Sequence, residues 1–350
     1  MARNRNSSTV MPADFDRTRA VAVCNPMAPP LLPKIVISAL LTLQRNITAG
    51  RGDGLEQFQS AEERVADALR RMSMTYTNLG KAHKIPQPDF ADAAYRWAYV
   101  YQYLTKHCHL IYQMLWLLLP FDITKRWLER GVDVCSVGGG PGTDVIGVLV
   151  YLQSVRSYLG KPACERVVGH VLDKFATAWN GAWLAIRESN SVLKKSQIYC
   201  KYIACDLLAD LPTAAMEQEI RQADLVTMIK SFSAFVAFMR DGRDIRQCAV
   251  AKLLKQMKRG AAVLFIDNKD EAYVDRASSL SFMPKTQNKT LLRDIAKPAG
   301  LEILGQWHGN TETLLLREDY RDLKRYQEQL RLDWNPLRKC AVSVFLLYKP

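Results

Sequence analysis

Residues 132–144 read Val132-Asp-Val-Cys-Ser-Val-Gly-Gly-Gly-Pro-Gly-Thr-Asp144. A β-branched apolar run breaks into a glycine-rich turn, and an apolar-periodic helix starts directly behind it. A strand–turn–helix of this kind brings bare backbone close to a ligand, with the first N–H groups of the helix pointing at it. The helix is predicted over Thr143–Leu159. Val145, Ile146, Val148, Leu149, Leu152 and Val155 recur at helical spacing, and Gly160 with Pro162 stops the run.

Other ligands use loops like this one. A Walker phosphate loop needs Lys after its last glycine, whereas Gly142 is followed by Thr143. The dinucleotide fingerprint, counted from Gly138, puts Thr143 where its third glycine belongs. Pro141 also removes an N–H that a pyrophosphate would use. A glycine turn with a purely structural role stays open.

The downstream pattern adds weight. A second strand is predicted at Val167–Leu172, ending in Asp173. An acid there can accept hydrogen bonds from both hydroxyls of a ribose, or cap the segment that starts at Lys174. A third strand over Tyr199–Cys205 ends in Asp206-Leu207, and an Asp after a strand is also a common turn residue. Further strands are predicted at Asp224–Lys230, Ala261–Asp267, Leu301–Trp307 and Cys340–Tyr348. Seven strands separated mostly by helical patterns imply an α/β sheet covered on both faces. Between the last two lies only the charged Arg317–Arg331 segment, which suits an antiparallel final strand on a mostly parallel sheet.

This ordered set resembles the class I S-adenosylmethionine-dependent methyltransferases over about residues 130–350. Their first motif reads roughly Gly-x-Gly-x-Gly, matched here by Gly138, Gly140 and Gly142. The resemblance implies a seven-stranded, Rossmann-like α/β sheet with an antiparallel last strand, and S-adenosylmethionine as cofactor. The implied cofactor residues are Ser136, Gly138, Gly139, Gly140, Pro141, Gly142, Asp144, Asp173, Asp206, Leu207 and Ile229. Among them Asp173 would take the ribose, and Asp206 with Leu207 the adenine. At Ser136 the family usually carries an acid. A serine can hydrogen-bond the amino group of the methionine moiety but cannot counter its charge.

Acceptor chemistry in such proteins is read just after the fourth strand. The Asn/Asp-Pro-Pro-Tyr/Phe run of amino-group methylation is absent, and Ile229-Lys230-Ser231-Phe232 stands there. Lys230 is the candidate catalytic residue. A desolvated lysine can take a proton, and a charged one can hold a phosphate; a surface lysine at a strand end is the plain alternative. No metal site is expected: His107 and His109 flank Cys108, and positions two apart diverge on a helix.

Residues 1–30, polar with four prolines, read as a flexible N-terminus, and 31–129 as a helical cap or substrate region. In the cap Tyr95, Tyr99 and Tyr103 share one face at i, i+4, i+8, while Trp97 and Tyr101 share another. They either stack on an acceptor ring or pack as core. Arg96, between them, is a candidate phosphate or carboxylate contact. Leu110–Leu119 is too short to cross a membrane and reads as a buried helix.

Hydrophobic content is 48%, ordinary for a globular protein, and the eight cysteines form no Cys-x-x-Cys pair. No secretory signal is visible, so cytoplasm or nucleus is the expected location. Net charge is +13. Residues 1–130 hold 17 Lys and Arg against 11 Asp and Glu, the remainder 31 against 24, so the excess is spread along the chain. A spread surplus suits a polyanion such as RNA and serves solubility equally. The expected function is methyl transfer from S-adenosylmethionine, with RNA as a possible acceptor. A protein or small-molecule acceptor, or a catalytically silent cofactor-binding scaffold, are the alternatives. The sequence does not define an oligomeric state.

Overall fold

The computed structural model describes residues 31–49, 60–79, 87–160, 166–239, 244–269, 290–315 and 317–350. The expectation for residues 1–30 lies outside them. Four helical segments come first: α1 (Leu31–Ala49), α2 (Ala61–Thr77), α3 (Ala93–Tyr99) and α4 (Thr105–Leu118). α3 runs into α4 through a wider π-turn at Val100–Leu104, and α5 (Phe121–Arg130) leads into the first strand. Serine 60 starts α2 with a capping box: its hydroxyl accepts from the Glu63 N–H while the Glu63 carboxylate accepts from the Ser60 N–H.

The alternation of the rest follows the sequence pattern. β1 (Val132–Val137) is followed by α6 (Thr143–Tyr158), β2 (Arg166–Asp173), α7 (Ala176–Ser189), a short turn of helix and β3 (Gln197–Ala204). Then come α9 (Ala214–Gln222), counting that short turn (Ser191–Lys195) as α8, β4 (Leu225–Ile229), α10 (Phe232–Phe238), α11 (Ala249–Leu253) and β5 (Ala262–Asn268). β6 (Glu302–Glu312), α12 (Arg317–Gln329) and β7 (Lys339–Tyr348) complete the described chain.

The strands form one seven-stranded sheet in the order β3-β2-β1-β4-β5-β7-β6. β1 to β5 run parallel, and β7 pairs antiparallel with both β5 and β6. The expected antiparallel last strand is therefore present. Because Val137 pairs with Leu172, Asp173 with Ala204 and Ile229 with Ile266, the carboxyl ends of β1 to β5 finish along one edge.

Apolar side chains alternate between the two faces, as strands covered on both sides require. Val132 and Val134 of β1 face a core shared with α1 to α7, while Cys135 and Val137 face a second core shared with α9 to α11. The N-terminal helices thus pack into the same apolar cluster as the sheet. α6 is apolar all round because α4 covers its outer side. A Cβ on Gly147 would stand 2.9 Å from Ile111 Cβ and 3.1 Å from the Cys108 carbonyl oxygen, so only glycine permits that approach. Leu110–Leu119 falls mostly in α4, whose residues from Thr105 to Tyr112 are all buried. Among the described residues no helix is long and apolar enough to cross a membrane.

Strand ends match the expectations within about two residues except at β6, which continues to Glu312. Its register shifts between Ile303 and Gly305 and then holds to Glu312 opposite Lys339. As the edge strand it is half exposed, so backbone pairing rather than apolar alternation defines its second half.

Candidate active site

The glycine loop sits at the carboxyl end of β1, where the strand order reverses between β1 and β4. Ligands of open α/β sheets bind at such a switch point. Gly138, Gly140 and Gly142 have φ of +70°, +53° and +79°, a region that side chains rarely adopt. These values let the backbone leave β1, fold over the sheet edge and enter α6. The Gly138 N–H donates to the Leu172 carbonyl (2.8 Å) and the Gly142 N–H to the Gly139 carbonyl (3.3 Å), with Pro141 between.

Beneath the loop lies a buried polar knot. Ser136 Oγ donates to Asp144 Oδ2 (2.6 Å), and Thr227 Oγ1 of β4 donates to the same oxygen (2.6 Å). All three residues are buried. The acid absent at 136 is thus present eight residues later, brought behind Ser136 by the first turn of α6. Burial pushes the Asp144 carboxyl up to about 6, and the two hydroxyls hold it back from rising further. A carboxyl raised from 3.8 stabilises the fold fully below about pH 3.8, and that contribution is lost as pH rises through about 6. Asp144→Asn keeps an acceptor for both hydroxyls without the charge. Between about pH 4 and pH 8 the stability difference is therefore expected to move by about 3 kcal/mol in favour of the variant. Thermal melts across that range measure it; a difference that stays constant with pH would contradict a buried charge at this position.

Four of the sequence-selected residues line one cleft of about 380 Å³: Gly138, Asp173, Asp206 and Leu207. Asp173 Oδ1 accepts from the Phe175 N–H (2.8 Å) and Oδ2 from the Gly140 N–H (3.3 Å), so this carboxylate tethers the loop as well as capping the turn after β2. Burial pushes it up to about 6, and the two backbone N–H groups work against that rise. Asp206 accepts from the Leu208 N–H (2.9 Å) in an Asx-type turn. Gln87, Lys174, Phe235 and Phe238 also line the cleft and carry no motif that singles them out in sequence.

This arrangement combines a parallel five-stranded run, a reversed seventh strand between β5 and β6, and acids at the ends of β2 and β3. The chain has a seven-stranded, Rossmann-like α/β fold with an antiparallel last strand. No family model matches the sequence, and no curated protein is detectably similar to it. Solved structures match at low similarity. An O-methyltransferase family protein from Burkholderia thailandensis is 13% identical, with 84% of this chain and 74% of that one covered and a TM-score of 0.39. The mitomycin 7-O-methyltransferase MmcR is 13% identical, with 89% and 84% covered and a TM-score of 0.39. The magnesium protoporphyrin IX methyltransferase of Synechocystis PCC 6803 is 11% identical, with 73% and 93% covered and a TM-score of 0.35.

Within this fold, Lys230 and Ile229 stand apart from the cleft. Ile229 is buried at the end of β4, against the core on the helical side. Lys230 lines a second, smaller pocket of about 190 Å³. Its φ of +55° is strained for a side-chain-bearing residue. The Lys230 N–H donates to the Ile266 carbonyl (2.7 Å), and Nζ donates to Asn268 Oδ1 (2.6 Å). Burial lowers its ammonium, opposed by Cys340 and Asp267 nearby. Asp267 fixes the start of α10: its Oδ2 accepts from the Ser233 N–H (2.8 Å) and its Oδ1 from Ser233 Oγ (2.6 Å). Asn268 was legible only as the residue after an acid at the end of a strand.

The tyrosine stripe divides. Tyr99 and Tyr103 line the Lys230 pocket with Tyr76 and His107, whereas Tyr95 does not. The π-turn at Val100–Leu104 spans the step from Tyr99 to Tyr103, whose rings stay together at 5.2 Å. It also frees the Gln102 carbonyl to accept from the Leu337 N–H (2.8 Å). Trp97 and Tyr101 are core, stacked at 5.2 Å and 14°. Arg96 donates to the carbonyls of Phe90 (2.8 Å) and Ala91 (2.7 Å), which commits its guanidinium to the chain's own backbone. His107 meets Tyr103 at 5.5 Å, while His109 stacks on Tyr112 at 6.1 Å.

Proposed function

We propose that this protein is an S-adenosylmethionine-dependent methyltransferase whose acceptor enters the pocket at Lys230. One observation carries the reading: Gly138, Asp173, Asp206 and Leu207 border a single cleft at the switch point of the sheet. The residues suit that nucleoside. Two carboxylates finish adjacent strands, an apolar side chain follows the second, and bare glycine backbone follows the next strand, β1. The hydroxyls of Thr143 and Ser231, beside the loop, are buried without partners, as donors kept for a ligand's polar groups would be.

When bound, S-adenosylmethionine supplies a methyl group activated by its sulfonium sulfur. In the proposal Asp173 accepts from the ribose hydroxyls, Asp206 holds the adenine amino group and Leu207 packs on the ring. The loop from Gly138 to Gly142 lets the amino-acid tail approach the backbone, and the Ser136–Asp144 pair supplies the negative charge that Ser136 alone lacks. In-line transfer needs chiefly positioning, which can supply roughly 7–11 kcal/mol of the barrier.

A small-molecule acceptor fits better than RNA. Lys230 is the single lysine or arginine lining the acceptor pocket among the described residues, and Arg96 is spent on backbone carbonyls. Titration calorimetry with S-adenosylmethionine and with NAD tests the donor. Heat from the first and none from the second is expected; the reverse would replace this reading with a dehydrogenase.

A further inference from the structure

The Lys230 pocket has the size and chemistry to define its occupant. A cavity of about 150 Å³ in a protein core takes one benzene ring, so about 190 Å³ suits a single ring with small substituents. Its walls are flat. Tyr103 stacks with His107 (5.5 Å, 22°), and Tyr76 meets Tyr103 edge-on at 5.5 Å. Its polar end is Lys230 with Ser233 and Asn268, all set by the carboxyl ends of β4 and β5. Tyr99 forms the partition towards the donor cleft: a Cβ on Gly140 would lie 3.7 Å from its ring.

We propose that this pocket binds a single-ring phenol as the methyl acceptor, with the phenol oxygen against Lys230 Nζ. The proposal rests on the donor reading above. The groups facing Lys230 favour an anionic oxygen. Asp267 of β5 is already engaged by Ser233 and by the Asn268 N–H (2.7 Å). From α4, Lys106 is fully buried and donates to Thr311 Oγ1 (3.3 Å), with burial lowering it to about 8. His107, pushed down to about 3 by burial, is uncharged at neutral pH. Cys340 of β7 and Tyr76 of α2 complete the surround, and burial drives the tyrosine up, so it stays neutral. Asp267, the carboxylate acting on Lys230, thus has both oxygens occupied, and Glu312 of β6 acts on Lys106. Burial favours the neutral amine of Lys230, which can take the phenol proton. In the transfer the phenolate oxygen gains the methyl carbon as the bond from that carbon to the sulfonium sulfur breaks, its electron pair left on sulfur. Lys230 keeps the phenol proton until it passes to solvent. A flipped pyrimidine base would fill the same volume but brings phosphates that the pocket does not neutralise.

The test uses the full chain and p-nitrophenol, whose ionised form absorbs in the visible. Bound probe is expected to show the phenolate band at about pH 6, its apparent pKa lowered by at least about one unit. p-Nitroanisole, which lacks the hydroxyl, is expected to bind roughly tenfold or more weakly, a comparison that needs no variant. Lys230→Met is expected to abolish the spectral shift. A bound probe with the spectrum of neutral phenol, or an unchanged shift in Lys230→Met, overturns the proposal. So does displacement of the probe by a short single-stranded RNA, which would assign the pocket to a base. Calorimetry separates the two readings. S-adenosylmethionine binding without probe binding sinks the phenol and spares the donor. A phenolate signal with no heat from S-adenosylmethionine removes the acceptor role along with the donor.

Discussion

Gly139→Ala is expected to cost the protein about 3 kcal/mol and its donor binding together. The added Cβ would stand 1.8 Å from Ser136 Oγ, 2.7 Å from Ser136 Cβ and 3.3 Å from Val171 Cγ1. Ser136 has nowhere to turn, being fully buried and hydrogen-bonded to Asp144, which Thr227 holds in turn. Overpacking of a filled core costs about 1–3 kcal/mol, and a hydrogen bond to a charged group is worth about 1.5–3. The effect is steric, because Gly139 is not among the residues with positive φ. Gly181→Ala is the control. It lies inside α7 with nothing within 4 Å of the new Cβ, so alanine there is expected to gain about 0.5–1 kcal/mol. Thermal melts of the two variants should move in opposite directions. A melt of Gly139→Ala that overlays the parent would show that the loop yields without disturbing the knot beneath it.

Asp173→Ala is expected to weaken S-adenosylmethionine binding by about 10–100-fold while leaving the melt nearly unchanged. Hydrogen bonds to a carboxylate are worth about 1.5–3 kcal/mol, and each 1.4 kcal/mol is tenfold in affinity. The fold loses the acceptor for the Phe175 and Gly140 N–H groups, offset by relief of a carboxylate that burial pushes up to about 6. The same value sets a pH dependence. Ribose hydroxyls donate to the ionised form, so parent affinity should fall as pH drops through about 6, whereas the alanine variant should show no such step. Calorimetry at several pH values reads both. Equal affinities in parent and variant would move the ribose elsewhere.

Most of the fold was legible because its strands are short β-branched runs bounded by acids, glycines and basic helix ends. Local pattern and burial agree there. β6 was read five residues short, since an edge strand has one solvent-facing side and its polar His308-Gly-Asn-Thr-Glu312 stretch is held by pairing with β7. The aromatic stripe was read from helical spacing, which does not say where along the stripe the Lys230 pocket lies; that pocket takes Tyr99 and Tyr103 and leaves out Tyr95. Ser136 looked like a missing acid because motif positions are counted along the chain. Asp144 lies one loop further on in sequence yet 2.6 Å away in space.

Residues 132–144, with the acids after β2 and β3, determined by themselves the fold class and the edge of the sheet where the candidate cleft lies. Strand ends are decided by neighbours in sequence, and glycine loops by backbone torsions that only glycine adopts freely. The pairing of Ser136 with Asp144 and Thr227, and the gathering of Tyr76, Tyr103, His107, Lys230 and Asn268 around one small pocket, were decided by tertiary structure alone. The pocket residues come from four separate segments, and only the packing of α2 to α4 onto the edge of β4, β5 and β7 sets the distances between them.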